Sequence, residues 1–134
     1  MDFSISETQE MICREARKFL EKECPSRLVM ELEEDEKGYS PELWQKMGEL
    51  GWMAMPFPEE YGGVGADFLG LVLLIEEMGR VCLPSPLIPS VILGGMTLFN
   101  LGSNVQKSDF LPSLASGETI YTLALLESDR KSVV

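Results

Sequence analysis

Histidine is absent from all 134 residues. Without imidazole, a Ser-His-Asp triad, a Cys-His dyad and the usual zinc sites are ruled out within the chain. Cysteine is scarce: Cys13, Cys24 and Cys82 are odd in number and form no C-x-x-C pair. That pattern argues against a disulfide framework and for the cytoplasm or another reducing compartment. Positive charge is also short, with 11 Lys and Arg against 22 Asp and Glu and no basic patch, which argues against nucleic-acid binding. The acidic, polar start MDFSISETQE lacks the features of a signal peptide. Long apolar runs are missing as well. The best one, Leu87 to Leu101, contains Pro89 and Gly94-Gly95 and falls short of the about 20 residues a spanning helix needs. It reads as a helix buried among other helices.

A hydrophobic content of 45% with 25% charged residues is that of a soluble globular domain. The charge is uneven: residues 1–67 carry a net −9 and residues 68–134 a net −2. The acidic half reads as a solvated face, with a docking surface for a basic partner as the sharper alternative.

Local signals divide the chain into helices. Ser6-Glu7-Thr8-Gln9 fits a capping box, so a helix should run to about Glu23, with Met11, Ile12, Ala16, Phe19 and Leu20 on one stripe and Pro25 as its stop. A thinner stripe, Leu28, Val29 and Leu32, marks a helix from about Ser26 to Asp35, with fraying expected at its acidic end. Ser40-Pro41-Glu42 starts a third helix on the stripe Leu43, Trp44, Met47, Leu50, and Gly51 is suited to close it. Pro58 to Asp67, with Gly62, Gly63 and Gly65, is a turn-rich loop. It has neither G-x-G-x-x-G spacing nor a following Lys-Ser or Lys-Thr, so a tight turn is preferred over a phosphate cradle. Asp67 can cap a helix from about Phe68 to Arg80 that is apolar nearly all round and is expected in the middle of the core. Helices at about Leu87 to Leu101 and Asn104 to Ala115 follow, the last containing Pro112 and closed by Gly117. Thr119 to Leu126 is β-rich and short. A single strand is not stable alone, so it must pair with another chain, dock on the helices or belong to a further sheet.

Catalytic candidates are few. Glu76-Glu77 are adjacent on a helix and point about 100° apart, so they cannot share a proton. A structural ion pair with Arg80 is the simpler reading. Tyr61 reads as packing beside its loop, and the eight methionines as an adaptable apolar interior rather than a metal site. The positive offering is a set of small and apolar residues on the 87–101 helix: Leu87, Ser90, Val91, Gly94 and Gly95. They admit a close neighbour, either another helix or a ligand's alkyl chain.

Three groups of residues carry a resemblance: Glu59-Glu60-Tyr61-Gly62-Gly63, then Glu76-Glu77-Met78-Gly79, then Gln106-Lys107, Phe110-Leu111-Pro112 and Leu114 to Glu118. In this order they resemble the N-terminal helical domain of acyl-CoA dehydrogenases, and the resemblance extends over nearly the whole chain. It implies an all-α bundle of five to six helices over residues 1–117. Residues 118–134 would then begin a β-domain that is cut short. The family reaction is α,β-dehydrogenation of an acyl-CoA thioester, with hydride passing to FAD and electrons leaving to an electron-transfer flavoprotein, in a homo-oligomer. By resemblance Leu87, Ser90, Val91 and Gly94 would contact the acyl tail. Leu125 and Leu126 would pass the flavin through their backbone, and Ser132 would meet the FAD phosphates. The family's threonine and proline are replaced at Leu126 and Ser128, and Lys131 and Val133 flank Ser132. No catalytic residue and no metal ligand is assigned, since the family's catalytic glutamate belongs to the C-terminal domain. The chain alone is expected neither to hold FAD tightly nor to turn over substrate. The alternative is a non-catalytic helical interaction module that associates through its apolar 87–126 surface.

Overall fold

The computed structural model describes residues 4–125. Six α-helices form: α1 (Glu7–Glu23), α2 (Ser26–Glu33), α3 (Pro41–Glu49), α4 (Phe68–Arg80), α5 (Met96–Leu101) and α6 (Asn104–Ala115). A 3₁₀ turn (Glu59–Tyr61) precedes α4, and a π-helical segment (Ile88–Gly95) leads directly into α5. Among the described residues there is no strand.

The helix ends follow their local chemistry. Ser6 and Gln9 form the reciprocal capping box on α1, and Ser103 and Gln106 do the same on α6. Ser40 accepts from the Leu43 N–H ahead of α3, and Asp67 accepts from the Gly70 N–H ahead of α4. Helix α2 stops at Glu33, two residues short of the expected end at Asp35, consistent with four acids crowding a negative helix terminus.

Helices α1 and α4 lie side by side and run in the same direction. Gln9 Nε2 donates to Asp67 Oδ2 at 2.7 Å near their N-termini, and Arg17 reaches Glu77 two turns later. Arg80 and Glu21 pair at 3.6 Å near their C-termini. Helix α3 joins the opposite side of the core, where Trp44 Nε1 donates to the Gly117 carbonyl at 2.9 Å. Between α3 and α4 the turn Trp52–Phe57 is itself core: Trp52, Met53, Ala54, Met55 and Phe57 are all buried, with Leu20, Leu71, Leu74, Leu111 and Leu114 around them.

Two expectations change. Helix α4 is not surrounded: Leu71, Leu74 and Met78 are buried, while Phe68, Leu69 and Val72 face outward. A helix apolar on all sides gives no periodic signal to tell which face the core takes. The 87–101 segment is not one α-helix. Its first half is π-wound, with the Met96 N–H bonding the Val91 carbonyl five residues back. Pro89 supplies no N–H to an α-helical ladder, and Gly95 lets Leu114 and Phe57 press close.

Candidate functional site

The π-helical segment sets the site. Its winding turns Leu87, Ser90 and Val91 fully inward. Ser90 is a polar side chain with no exposure, and it is satisfied from a distant part of the chain: its Oγ accepts the Tyr121 N–H at 3.0 Å. Residues 119–125, the β-rich run, therefore dock on the helices in the segment that is described. Ser113 holds the same run from the other side. Its Oγ donates to the Phe110 carbonyl at 3.0 Å and accepts from Thr119 Oγ1 at 3.0 Å, and the Tyr121 hydroxyl lies 3.2 Å away.

Of the four residues assigned to the acyl tail, three are thus sealed in the core, and Gly94 alone borders open space. A cleft of about 270 Å³ is lined by Gly94, Leu98, Phe110, Tyr121 and Thr122. A methyl group on Gly94 would stand 2.8 Å from the Tyr121 Cβ, so glycine is what permits the chain to cross there. Leu125 is exposed. Leu126 and Ser132, the other residues assigned to FAD, lie outside the described residues. An aromatic set backs the cleft: Phe99 meets Phe57 and Tyr61 edge-on at 6.2 and 6.3 Å, and Lys107 Nζ sits 5.5 Å from the Phe99 ring centre. Burial and the nearby Glu60 push the Tyr61 phenol pKa up, so it stays protonated.

A second concavity was not anticipated. Met11, Ile12, Leu50, Trp52, Met55 and Val64 line an apolar groove of about 400 Å³ between α1 and the end of α3. It draws on three separate stretches of sequence, so no single motif announces it.

Glu77 is the one buried carboxylate among the described residues. The Arg17 guanidinium grips both its oxygens, at 2.6 and 3.0 Å, and Arg80 Nε adds a third bond at 3.0 Å. The hydrogen bonds from Arg17 hold its pKa below the ordinary glutamate value against the opposing effect of burial. A carboxylate fixed in this way is a structural clasp, as expected for Arg80; Arg17, 60 residues distant, was not foreseen. No cluster of three or more metal-ligating side chains occurs among the described residues. No described helix is long and apolar enough to cross a membrane.

The described residues thus form an all-α domain with a run at 119–125 docked on its helices and two open concavities. The chain belongs to the acyl-CoA dehydrogenase family: the family model "Acyl-CoA dehydrogenase, N-terminal domain" matches residues 6–118. A probable acyl-CoA dehydrogenase from Bacillus subtilis is 36% identical over 98% of this chain and 35% of its own length. The short-chain specific acyl-CoA dehydrogenase of Clostridium acetobutylicum is 35% identical over 95% of this chain and 34% of its own. In structure, an acyl-CoA dehydrogenase complexed with FAD from Bacillus anthracis aligns with a TM-score of 0.78 at 29% identity, covering 87% of this chain and 20% of that one. The chain thus spans about one third of the length of the curated relatives it matches.

Proposed function

We propose that this chain supplies the N-terminal domain of an FAD-dependent acyl-CoA dehydrogenase, a homo-oligomer that oxidises the α,β-bond of an acyl-CoA thioester. The observation that carries the reading is the family match over residues 6–118. Residues 1–117 form the helical domain in this reading, and 118–134 begin the next. The part played here is one wall of the acyl pocket. Gly94 contributes open surface, while Leu87, Ser90 and Val91 act from behind by fixing the π-helical segment and the run through Tyr121. In this reading Leu125 and Leu126 pass the flavin through their backbone, and the catalytic base belongs to the C-terminal domain of the whole enzyme. An electron-transfer flavoprotein takes the electrons in this reading.

A domain exchange tests this reading. Residues 6–118 replace the matching segment of the short-chain specific Clostridium acetobutylicum enzyme, and flavin bleaching by an acyl-CoA is followed anaerobically. The expected result is an FAD-loaded chimaera that bleaches, whereas the 134-residue chain alone does not. A folded, FAD-loaded chimaera that fails to bind acyl-CoA would overturn the reading and favour an interaction module instead.

A further inference from the structure

Left-handed backbone at a helix end is ordinarily given to glycine. This chain follows that rule at Gly51, Gly62 and Gly117. It breaks it once among the described residues: Cys82 has φ +51. Cys82 stands just past α4 in a complete Schellman turn, its own N–H bonding the Gly79 carbonyl at 3.0 Å and the Leu83 N–H bonding the Met78 carbonyl at 3.1 Å. The turn would be less strained with glycine, and the cysteine side chain it carries instead is exposed.

The parallel register of α1 and α4 places a second cysteine beside it. The rungs between the two helices are Gln9 with Asp67, Arg17 with Glu77 and Glu21 with Arg80, separated by 58, 60 and 59 positions in sequence. Cys24, the residue that caps the C-terminus of α1, continues this ladder to Cys82 at a separation of 58. Burial pushes the Cys24 thiol pKa up, with a smaller contribution in the same direction from Cys82. Cys13 does not share the position, lying three turns back on α1 near Glu77 and Glu76.

We propose that Cys24 and Cys82 form a redox pair whose disulfide joins the C-terminal ends of α1 and α4. The oxidant is a low-molecular-weight disulfide. The Cys82 thiolate attacks one of its sulfurs and releases one small thiolate, giving a mixed disulfide at Cys82. The Cys24 thiolate then attacks the Cys82 sulfur and releases the second small thiol. Two protein thiols become one disulfide, and one small disulfide becomes two thiols, so electrons and protons balance. The exposed Cys82 is the entry point and the buried Cys24 the resolving sulfur. The second step is the slower one and accelerates with pH, because the Cys24 thiol must ionise within the core. A small thiol in excess reverses both steps, which suits a switch in a reducing compartment.

The test treats the 134-residue chain with oxidised glutathione, followed by non-reducing proteolysis and mass spectrometry. The expected product has lost two hydrogens and links the peptides containing Cys24 and Cys82; Cys13→Ser forms it equally well. The oxidised chain is expected to melt roughly 10 °C higher than the reduced chain, since the bond closes a long loop. Cys24→Ser should stop at the mixed disulfide on Cys82. Cys82→Gly relieves the left-handed strain, so it folds at least as well as the parent, and it should lose the link. A wild-type product that stays at the glutathione adduct, or a link through Cys13, overturns the proposal.

Discussion

Between α1 and α4 the chain is joined by charged and polar side chains in register: Gln9 to Asp67, Arg17 to Glu77 and Glu21 to Arg80. Around Phe57 and the π-helical segment it is joined by the absence of side chains. Gly63 lies against the Phe57 backbone, Gly95 beneath the Phe57 ring and Leu114, and Gly94 beneath Tyr121. The first joint tolerates small shifts, because half-exposed arginines can follow their carboxylate. At Gly63 and Gly95 the second has little slack, because an added carbon meets backbone or buried side chains, whereas the run over Gly94 can lift. The cleft is built on the second joint. The ion pairs between α1 and α4 are the more adjustable of the two.

The largest test of this contrast is Gly63→Ala. Its new carbon would fall within the contact distance of the Phe57 carbonyl, which is backbone and cannot rotate away. A loss of about 3 kcal/mol or more is expected by urea denaturation; a near-neutral result would show that the glycine joint has slack after all.

Glu77→Gln comes next, at about 1–2 kcal/mol, modest because both arginines are about half exposed and recover water. It also carries a pH signature. The folded pKa of Glu77 is below its ordinary value of 4.5, so its stabilisation is fully present above that value and is lost as pH falls through the folded pKa. Glu23 is lowered too, chiefly by its hydrogen bond from Lys46, and adds to the same acid limb. Unfolding followed from pH 6 to about 3 should show a shallower decline in Glu77→Gln than in the parent; parallel curves would remove Glu77 from the account.

Ser90→Ala removes the acceptor of the Tyr121 N–H and is expected to cost about 1 kcal/mol. Its sharper readout is amide exchange, which should accelerate at Tyr121 while the α1–α4 amides are unaffected. Smallest in stability is Gly94→Ala, below about 1 kcal/mol because the docked run can lift away. Limited proteolysis should then cut within residues 119–125 faster; unchanged cleavage would mean that Tyr121 does not rest on Gly94.

Most helix boundaries were legible because they are written locally. Ser6 with Gln9, Ser40 with Pro41, Asp67, and Ser103 with Gln106 each supply a cap within three residues of the backbone they satisfy. What escaped reading was non-local or aperiodic. Arg17 finds Glu77 only after the chain has returned, and no pattern near either residue names the other. The outward face of α4 was hidden because Phe68, Leu69 and Val72 look no different in sequence from Leu71 and Leu74. The π-winding rests on Pro89 and Gly95 meeting particular neighbours. For the candidate site, the small residues at Ser90 and Gly94 were visible, but that Tyr121 would be their neighbour was not.

The parallel pairing of α1 and α4 also bears on how the chain assembles. Two parallel helices cannot be joined by a tight turn, so everything from Cys24 to Ala66 is the crossover that lets them meet. Their contacts close over about 60 residues, whereas α5 and α6 are near neighbours in the chain. Loop-closure entropy must be met before the distant contacts repay it. Joining α1 to α4 therefore carries the larger closure cost, and joining α5 to α6 the smaller.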